Sequence, residues 1–357
     1  MKEHQEGFSH HKPDRAVAYW LFSGCLMVAL ILIVGGLTRL YDAGLSITEW
    51  DVIGGVVPPT TEQQWEEAFE TYKQFPEYQD LKKGMSMYEF KWIYWWEYLH
   101  RMLARALGFV FLIPFLIFAF QKRFNATDYG KLGLVVALGA FQALMGWYMV
   151  YSGLVDEPYV SHFRLMIHLA LAFIIFWVLF RYGLTKIKGV SPNGNKPPLY
   201  WLTVGVTGIL FLQVLLGALT AGLDAGHYYS STFPKMGEYW VPPQIGTQGN
   251  LFNDLVNNPV SVQFLHRNAA YLLFFVGIYY WYRTLKSNYG PTIRNLSHSF
   301  MALLLLQVIL GVLTLFSHAY LSLEDYRIGL ASIHQFMAMV IFAILIWMEK
   351  ELALKKE

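Results

Sequence analysis

The hydrophobic pattern of this chain consists of eight long apolar stretches separated by polar segments. The first stretch, Val17 to Thr38, contains no charged residue and is long enough, at about 1.5 Å per helical residue, to cross a hydrocarbon core of about 30 Å. The pattern therefore predicts an all-α integral membrane protein with eight transmembrane helices. The other seven predicted spans are Trp92–Phe120, Leu132–Tyr151, Leu165–Phe180, Leu199–Leu223, Val260–Tyr282, Met301–Phe316 and Ile328–Met348.

Composition supports a lipid environment for these helices. Hydrophobic residues make up 55% of the 357 residues and charged residues 15%, whereas roughly a quarter of the residues of an average globular domain are charged. The net charge of +2 is too small to indicate a nucleic-acid partner, and we expect none. The first apolar stretch exceeds the core of about 7–15 residues found in signal peptides, so we expect it to remain as a helix.

The distribution of lysine and arginine predicts the orientation of the helices. If the N-terminus is cytoplasmic, the inner segments carry 16 basic residues and the outer segments eight, several of the eight within one long loop. Short cytoplasmic segments are enriched in basic residues. We therefore expect a multi-pass protein of the cell (inner) membrane with both termini in the cytoplasm.

Two long outer connections, at about 41–91 and 224–259, are rich in glycine, proline and aromatic residues. Thr61 followed three residues later by Gln64 predicts a capping box, and apolar residues at helical spacing continue from Trp65. We expect an interfacial helix in the first connection. The sequence leaves open whether this helix covers a site as a lid or rests on the membrane surface.

Internal similarity indicates that the chain is a duplication of a four-helix unit. The matching segments are 35–38 with 217–220, 99–101 with 265–267, and 142–146 with 307–311. We therefore predict two pseudo-symmetric four-helix bundles, residues 1–190 and 191–357. Because bundles of this kind bind cofactors between facing helices, each half is a candidate site.

Four histidines within the predicted spans follow the same repeat. His100 and His168 are 68 residues apart, and so are His266 and His334. Metal-binding side chains inside a membrane usually face a bundle interior, and no set of cysteines or carboxylates suggests tetrahedral zinc. Small residues one helical turn below each histidine would let a flat porphyrin approach, which favours haem bound between paired imidazoles. These residues are Ala104, Ala172, Ala270 and Ala338.

Three arginines lie beside the candidate ligands. Arg101 and Arg267 directly follow His100 and His266, and Arg164 precedes His168 by about one turn. Their guanidinium groups suit the carboxylates of haem propionates, so we predict a role in haem binding. Extension of the arginine side chains toward the outer interface is the alternative interpretation.

The two halves differ at one position near the histidines. Glu97 lies three residues before His100, and the matching position in the second half is Gln263. A rise of about 4.5 Å would let Glu97 reach the rim of a porphyrin rather than its metal, where a carboxylate could accept a proton or stabilise a developing cation. A plain ion pair with Arg101 is the alternative. The asymmetry predicts that the first half modifies its haem and that the second half retains one for electron transfer.

Several motifs closely resemble those of the haem A synthase family. They are GlyGlyLeuThrArgLeu at 35–40, GlyLeuSerIleThrGluTrp at 44–50, GluTyrLeuHisArg at 97–101, ArgLeuMetIleHis at 164–168 and PheLeuHisArg at 264–267. The resemblance covers residues 17–348. It points to the mitochondrial and proteobacterial class, because the cysteine pair in the first outer loop of the Gram-positive class is missing.

This resemblance implies oxidation of the C8 methyl group of haem O to a formyl group by two successive hydroxylations, giving haem A for cytochrome oxidase. It implies a substrate site at His100 and His168 and a resident haem b on His266 and His334. This agrees with the asymmetry of the halves, and we predict Glu97, His100 and His168 as the catalytic residues. The implied partners are haem O, haem O synthase and an electron acceptor in the membrane. Our working hypothesis is that electrons leave through the resident haem and that water supplies the oxygen.

Two functions of other classes remain open from the residues themselves. One is an electron-transfer cytochrome that exchanges electrons with quinone, in which both haems are permanent and Glu97 is incidental. The other is a haem carrier or exporter that releases haem unchanged, for which a single labile site would be expected. The identity of the haems extracted from the protein separates these alternatives.

Overall fold

The computed structural model describes residues 13–49, 54–155, 159–190, 194–321 and 323–354, and it is built from α-helices with short 3₁₀ and π turns. The predicted all-α fold is therefore confirmed. The ten α-helices are α1 (Arg15–Leu40), α2 (Glu62–Tyr72), α3 (Met87–Phe120), α4 (Ala126–Val155), α5 (His162–Lys188), α6 (Pro198–Gly222), α7 (Leu251–Asn257), α8 (Pro259–Leu285), α9 (Pro291–Tyr320) and α10 (Glu324–Ala353).

Seven of these helices are long and apolar enough to cross a membrane: α1, α3, α4, α5, α6, α9 and α10. The protein is thus a multi-pass membrane protein by length and composition. Helix α8, which contains the predicted span Val260–Tyr282, has 27 residues but is more polar than the others. Its outer half contains the run His266, Arg267 and Asn268, and its inner half is rich in tyrosine.

The helices extend beyond the predicted apolar spans, because backbone hydrogen bonds continue through polar turns that hydropathy excludes. Helix α9 begins at Pro291 rather than at Met301, and α3 begins at Met87 rather than at Trp92. Proline at the first turn of α9 costs no hydrogen bond. Proline has no amide hydrogen, and the first amide groups of any helix have no acceptor within the helix. At the start of α3, Ser86 and Glu89 form a capping box.

Each half of the chain has the same set of packed helix pairs, with one difference. Helix α1 packs against α3 and α5, and α5 packs against α4; in the second half α6 packs against α8 and α10, and α10 packs against α9. Helices α8 and α9 also pack closely against each other, whereas α3 and α4 are not closely packed within the described residues and meet at their inner ends through Phe115 and Tyr129. Across the centre, α5 contacts α6 and α10, and α1 contacts α10.

Helix α2 in the first outer connection packs on protein rather than on lipid. The predicted capping box is confirmed, because the Thr61 hydroxyl accepts from the Gln64 amide and the Gln64 side chain accepts from the Thr61 amide. The aromatic face of α2, which includes Trp65, is buried against Phe90 of the outer extension of α3. The apolar face of α2 is therefore occupied by aromatic residues of α3.

The single cysteine contributes to packing between two central helices. Cys25 of α1 is buried in the main hydrophobic core, and its Sγ lies 4.0 Å from the carbonyl oxygen of Phe176 in α5. Cys25 is therefore a packing residue between α1 and α5.

Candidate functional site

Each of the four intramembrane histidines lies against a glycine of the neighbouring helix. Because glycine has no Cβ, the imidazole ring occupies the space that a side chain would fill. The pairs, with the distance from an ideal Cβ to Cε1 of the ring, are Gly35–His100 at 2.6 Å, Gly146–His168 at 3.3 Å, Gly217–His266 at 3.2 Å and Gly311–His334 at 2.9 Å. Gly35 matches Gly217 in the duplicated sequence, and Gly146 matches Gly311.

Three of the histidines also contact a glutamine that precedes this glycine by four residues on the same helical face. The glutamine Nε2 lies near Nε2 of the ring in Gln142–His168 (3.2 Å), Gln213–His266 (3.4 Å) and Gln307–His334 (3.4 Å). His100 differs, because Ile31 occupies the position that matches Gln213. His100 is therefore the one histidine of these four that has no glutamine contact of this kind.

The structure brings the histidines together in the predicted pairs. His168 interacts electrostatically with His100, and His266 interacts with His334. In all four rings Nδ1 is buried and has no hydrogen-bond partner among the described residues. A buried polar atom without a partner is costly, so these nitrogens indicate a missing ligand.

The donor set suits haem better than a metal ion held by side chains alone. The described residues include no group of three or more histidines, cysteines, aspartates or glutamates that could hold a metal ion. Two imidazoles complete the coordination of an iron that already has four porphyrin nitrogens. The paired histidines, their unpartnered nitrogens and the glycines behind them therefore fit haem.

Glu97 lies at the centre of a hydrogen-bond cluster that holds the first outer loop. The buried carboxylate pairs with Arg101 (Oε1 to Nη2, 2.6 Å) and accepts from the Ser46 hydroxyl (2.7 Å) and the Ile47 amide (2.9 Å). Arg101 also donates to the carbonyl oxygens of Ile47 (2.8 Å) and Glu49 (3.0 Å). The ion pair anticipated as the alternative is present, and it attaches residues 46–49 to α3 beside His100.

The matching residues of the second half hold the second outer loop without a carboxylate. Gln263 donates to the carbonyl oxygen of Tyr228 (2.6 Å), and Arg267 donates to those of Tyr229 (2.9 Å), Thr232 (2.9 Å) and Lys235 (3.1 Å). Arg267 is buried. Both arginines thus bind main-chain carbonyl groups of a loop, a role that was not predicted from sequence, and their predicted role in binding haem propionates stays a prediction.

Arg164 lies apart from these clusters. Its guanidinium carbon is 4.2 Å from the ring centroid of Tyr148 in α4, and Nη2 donates to the Tyr148 hydroxyl (3.3 Å). This contact links α5 to α4 near the outer end of the first half. Arg164 is therefore near the His168 ligand along the chain, but its observed partner is an aromatic ring.

The glycines and glutamines behind the histidines were not recognised as site residues from sequence. The signal was present, because the repeated segments GlnAlaLeuMetGly (142–146) and GlnValIleLeuGly (307–311) contain both residues at the same spacing. A glutamine four residues before a glycine places both side-chain positions on one helical face. Only the packing of neighbouring helices shows that this face meets a histidine.

Comparison with known proteins agrees with the motifs. The family model of the cytochrome oxidase assembly proteins (COX15-CtaA) matches residues 18–346, which is almost the whole chain. The chain belongs to this family. The resemblance noted from its motifs is thereby confirmed.

Curated relatives of similar length carry the name heme A synthase. One from Nitrosomonas eutropha is 38% identical over 96% of this chain and 95% of its own. Others are from Parvibaculum lavamentivorans, 37% identical over 97% and 95%, and from Rickettsia bellii, 40% identical over 92% and 96%. The relatives include proteobacterial proteins, in agreement with the predicted class.

Proposed function

We propose that this protein is a haem A synthase that oxidises the C8 methyl group of haem O to a formyl group, giving haem A for cytochrome oxidase. The observation that carries the proposal is the presence of two buried histidine pairs, each ring set against a glycine and each with an unpartnered Nδ1. The names of the relatives supply the reaction.

The reaction is two successive hydroxylations of one carbon. The first converts the methyl group to a hydroxymethyl group, and the second gives a gem-diol that loses water to become the formyl group. When water supplies the oxygen, each hydroxylation removes two electrons and two protons from the reacting partners. The chain must therefore hold a methyl group in place, provide a path for protons and pass electrons on.

The proposal includes two pseudo-symmetric bundles with eight transmembrane helices, divided near residue 190. Support comes from the helix pairs, because the pairs of α1, α5 and α4 recur as those of α6, α10 and α9. Helix α8 stands where α3 stands in the first half and is the eighth span. Its polar outer residues are accommodated because Gln263 and Arg267 bind the outer loop rather than lipid.

In this arrangement His266 and His334 hold a resident haem b, and His100 and His168 hold the haem substrate. The resident haem would supply one-electron redox chemistry at the outer side of the membrane. The glycine and glutamine behind each second-half ring fix its orientation, since Gln213 and Gln307 also donate to the carbonyl oxygens of His266 (3.0 Å) and His334 (3.1 Å).

Glu97 has two roles in the proposed function. Its four hydrogen bonds attach the first outer loop beside His100 and so limit the access of water to the substrate. Its negative charge, one turn from His100, also stabilises positive charge that develops on the substrate's methyl carbon. Arg101 pairs with the carboxylate and holds it in position.

The cell (inner) membrane is the proposed location, with both termini in the cytoplasm. The inner ends of the helices carry the excess of lysine and arginine that the positive-inside rule requires, although the terminal lysines lie outside the described residues. The proposed partners are haem O, the haem O synthase that forms it, and an electron acceptor in the same membrane.

The decisive experiment compares haem extracted from cells that make haem O, with and without this protein. Chromatography with mass analysis should show haem A and its hydroxymethyl precursor only when the protein is present. If the protein carries haem B alone and haem O is unchanged, the proposal is wrong and the electron-transfer cytochrome takes its place.

A further inference from the structure

The packing of the helices differs between the halves at one seam. Helix α8 packs against α9, and every other packed pair of long helices in the second half has a counterpart in the first. The counterpart of the α8–α9 pair would be α3 with α4, but within the described residues these helices are not closely packed. They meet at their inner ends, where the rings of Phe115 and Tyr129 are 6.5 Å apart between centroids. The first half is therefore more open between α3 and α4 on the outer side of this contact, toward the surface that faces lipid.

Large side chains close the seam in the second half. Leu304 of α9 projects onto Gly277 of α8, and the rings of Tyr280 and Phe300 meet edge to face at 5.5 Å between centroids. Leu304, Tyr280 and Phe300 are at most 1% exposed. The second half is thus sealed from lipid below its histidines.

The first half has glycine in place of two large residues of the second half. Gly139 of α4 corresponds to Leu304 of the closed seam, and Gly108 of α3 corresponds to Phe274 of α8. Both glycines are exposed, and an added Cβ at either would have no described heavy atom within 4 Å. The opening is therefore present in the sequence as well as in the helix packing.

The middle of α3 is held against α1. Phe111 packs on Trp20 of α1 with 5.1 Å between ring centroids, and the Trp20 indole donates to the carbonyl oxygen of Val110 at 3.0 Å. These contacts lie along α3 between Gly108 and the inner-end contact of Phe115 with Tyr129, so they fix the position of α3 beside the opening.

The opening leads to the first histidine pair. Gly108 is about two helical turns below His100, and Gly139 is about two turns below Gly146, which contacts His168. Nδ1 of both histidines is buried without a partner, which independently indicates a ligand at this level. A ligand bound there would have an apolar exit to lipid between α3 and α4.

We propose that the opening between α3 and α4 admits the haem substrate from the lipid and holds its isoprenoid tail. This inference rests on the proposed function, because haem O differs from haem B by its long hydrophobic farnesyl-derived chain. A chain of this kind gains from lying among apolar side chains and lipid. The sealed second half suits a haem without such a tail that is never exchanged.

The test fills the opening with the residues of the second half. Gly139→Leu and Gly108→Phe should weaken equilibrium binding of haem O at the first site about tenfold, because the tail loses its apolar contacts. Binding of haem B, which lacks the tail, should change by less than about threefold. Resident haem content and thermal unfolding, measured on the same detergent-solubilised protein, report whether the variants fold.

Gly130→Leu is the matched control. Gly130 also lies on α4 with no described heavy atom within 4 Å of its Cβ position, but nine residues from Gly139 it is on the opposite helical face. This variant should bind haem O as the unaltered protein does. A milder Gly139→Ala variant should fall between the unaltered protein and Gly139→Leu.

The result that overturns the inference is equal haem O binding by Gly139→Leu, Gly108→Phe and Gly130→Leu. Equal weakening of haem O and haem B binding would also overturn it, since the tail would then have no part in the effect. If haem O is bound in preference to haem B but the unaltered protein forms no haem A, the proposed function fails while the tail site stands.

Discussion

The two outer loops are attached to the membrane helices by matching residues of unlike charge. In the first half Glu97 and Arg101 form an ion pair that binds residues 46–49. In the second half the neutral Gln263 and the charged Arg267 bind carbonyl groups of the loop. At these positions the second outer loop is attached by an arginine and an amide, without a carboxylate. The carboxylate of the first half is therefore additional, which points to chemistry at that side.

The largest expected effects come from replacing one histidine of each pair, and they differ between the two pairs. His266→Ala should remove the resident haem and lower haem A formation by at least about a hundredfold, because an iron ligand is lost. His100→Ala should stop product formation to a similar extent but leave resident haem b in place.

The measurement for both variants is haem content per protein together with the absorption spectrum. The assignment of the resident haem to the second half is wrong if His100→Ala loses the resident haem while His266→Ala keeps it. His298, which contacts Trp281 at the inner end of α8, offers a control histidine away from both pairs.

A second prediction concerns the charge difference at the loop attachments. Glu97→Gln leaves the half-buried Arg101 without its counter-charge and weakens the hydrogen bonds to Ser46 and Ile47, at a cost of about 1–3 kcal/mol, so the first outer loop should detach more readily. Amide hydrogen exchange at residues 41–49 should speed up, and product formation should fall. Gln263→Glu is the matched change in the second half and should leave product formation near its original rate.

Joint measurement of exchange and turnover separates the two roles of Glu97. Slower turnover with unchanged hydrogen exchange in Glu97→Gln would show that Glu97 acts in the reaction and is not needed to attach the loop. Faster exchange with unchanged turnover would show that the carboxylate serves the loop alone.

A third prediction ranks the four glycines behind the histidines. A Cβ at Gly35 would lie 2.6 Å from Cε1 of His100, whereas one at Gly217 would lie 3.2 Å from Cε1 of His266. Overpacking of this kind costs about 1–3 kcal/mol, so Gly35→Ala should displace its histidine more than Gly217→Ala displaces the matching one. The spectrum of the bound haem reports the displacement, and a larger effect at Gly217 would contradict the ranking.

The smallest predicted effect is an opposite response of the two loops to acid. In the first loop, burial raises the pKa of Glu77 above its ordinary value of 4.5, although Lys82 opposes the rise. Protonation of Glu77 therefore favours the folded loop. The stability of this loop should increase as the pH falls from the pKa of Glu77 in the folded protein toward 4.5, its value in the unfolded chain.

In the second loop, burial of Asp254 is outweighed by hydrogen bonds from Asn258, Ser261 and the amides of Gly246 and Gln248, which lower its pKa below the ordinary value of 3.8. The ionised Asp254 therefore stabilises the folded loop above pH 3.8, and this stabilisation is lost as the pH falls below 3.8. Hydrogen exchange of residues 72–82 and 246–258 between pH 3 and 6 should show the opposite trends. A common trend in both loops would contradict the assignment.

Much of the fold followed from sequence, because the membrane reduces the problem to apolar helices of sufficient length. The spans were predicted within a few residues at most ends, while the polar extension of α9 from Pro291 was missed. The capping box at Thr61 was predicted because it depends on residues close together in the chain. The packing of α2 on Phe90 was not, since hydropathy does not distinguish a lipid surface from an aromatic protein surface.

Sequence alone singled out the candidate site residues at the centre of each half, because duplication displayed His100, His168, His266 and His334 at a common spacing and Glu97 as an unmatched carboxylate. Tertiary structure alone decided what surrounds them: which glycine lies behind each ring, which loop each arginine holds, and which pair of helices is loosely packed. The physical reason is that spacing along a helix fixes the face on which a side chain lies, whereas contacts between helices depend on side-chain shape across the whole interface.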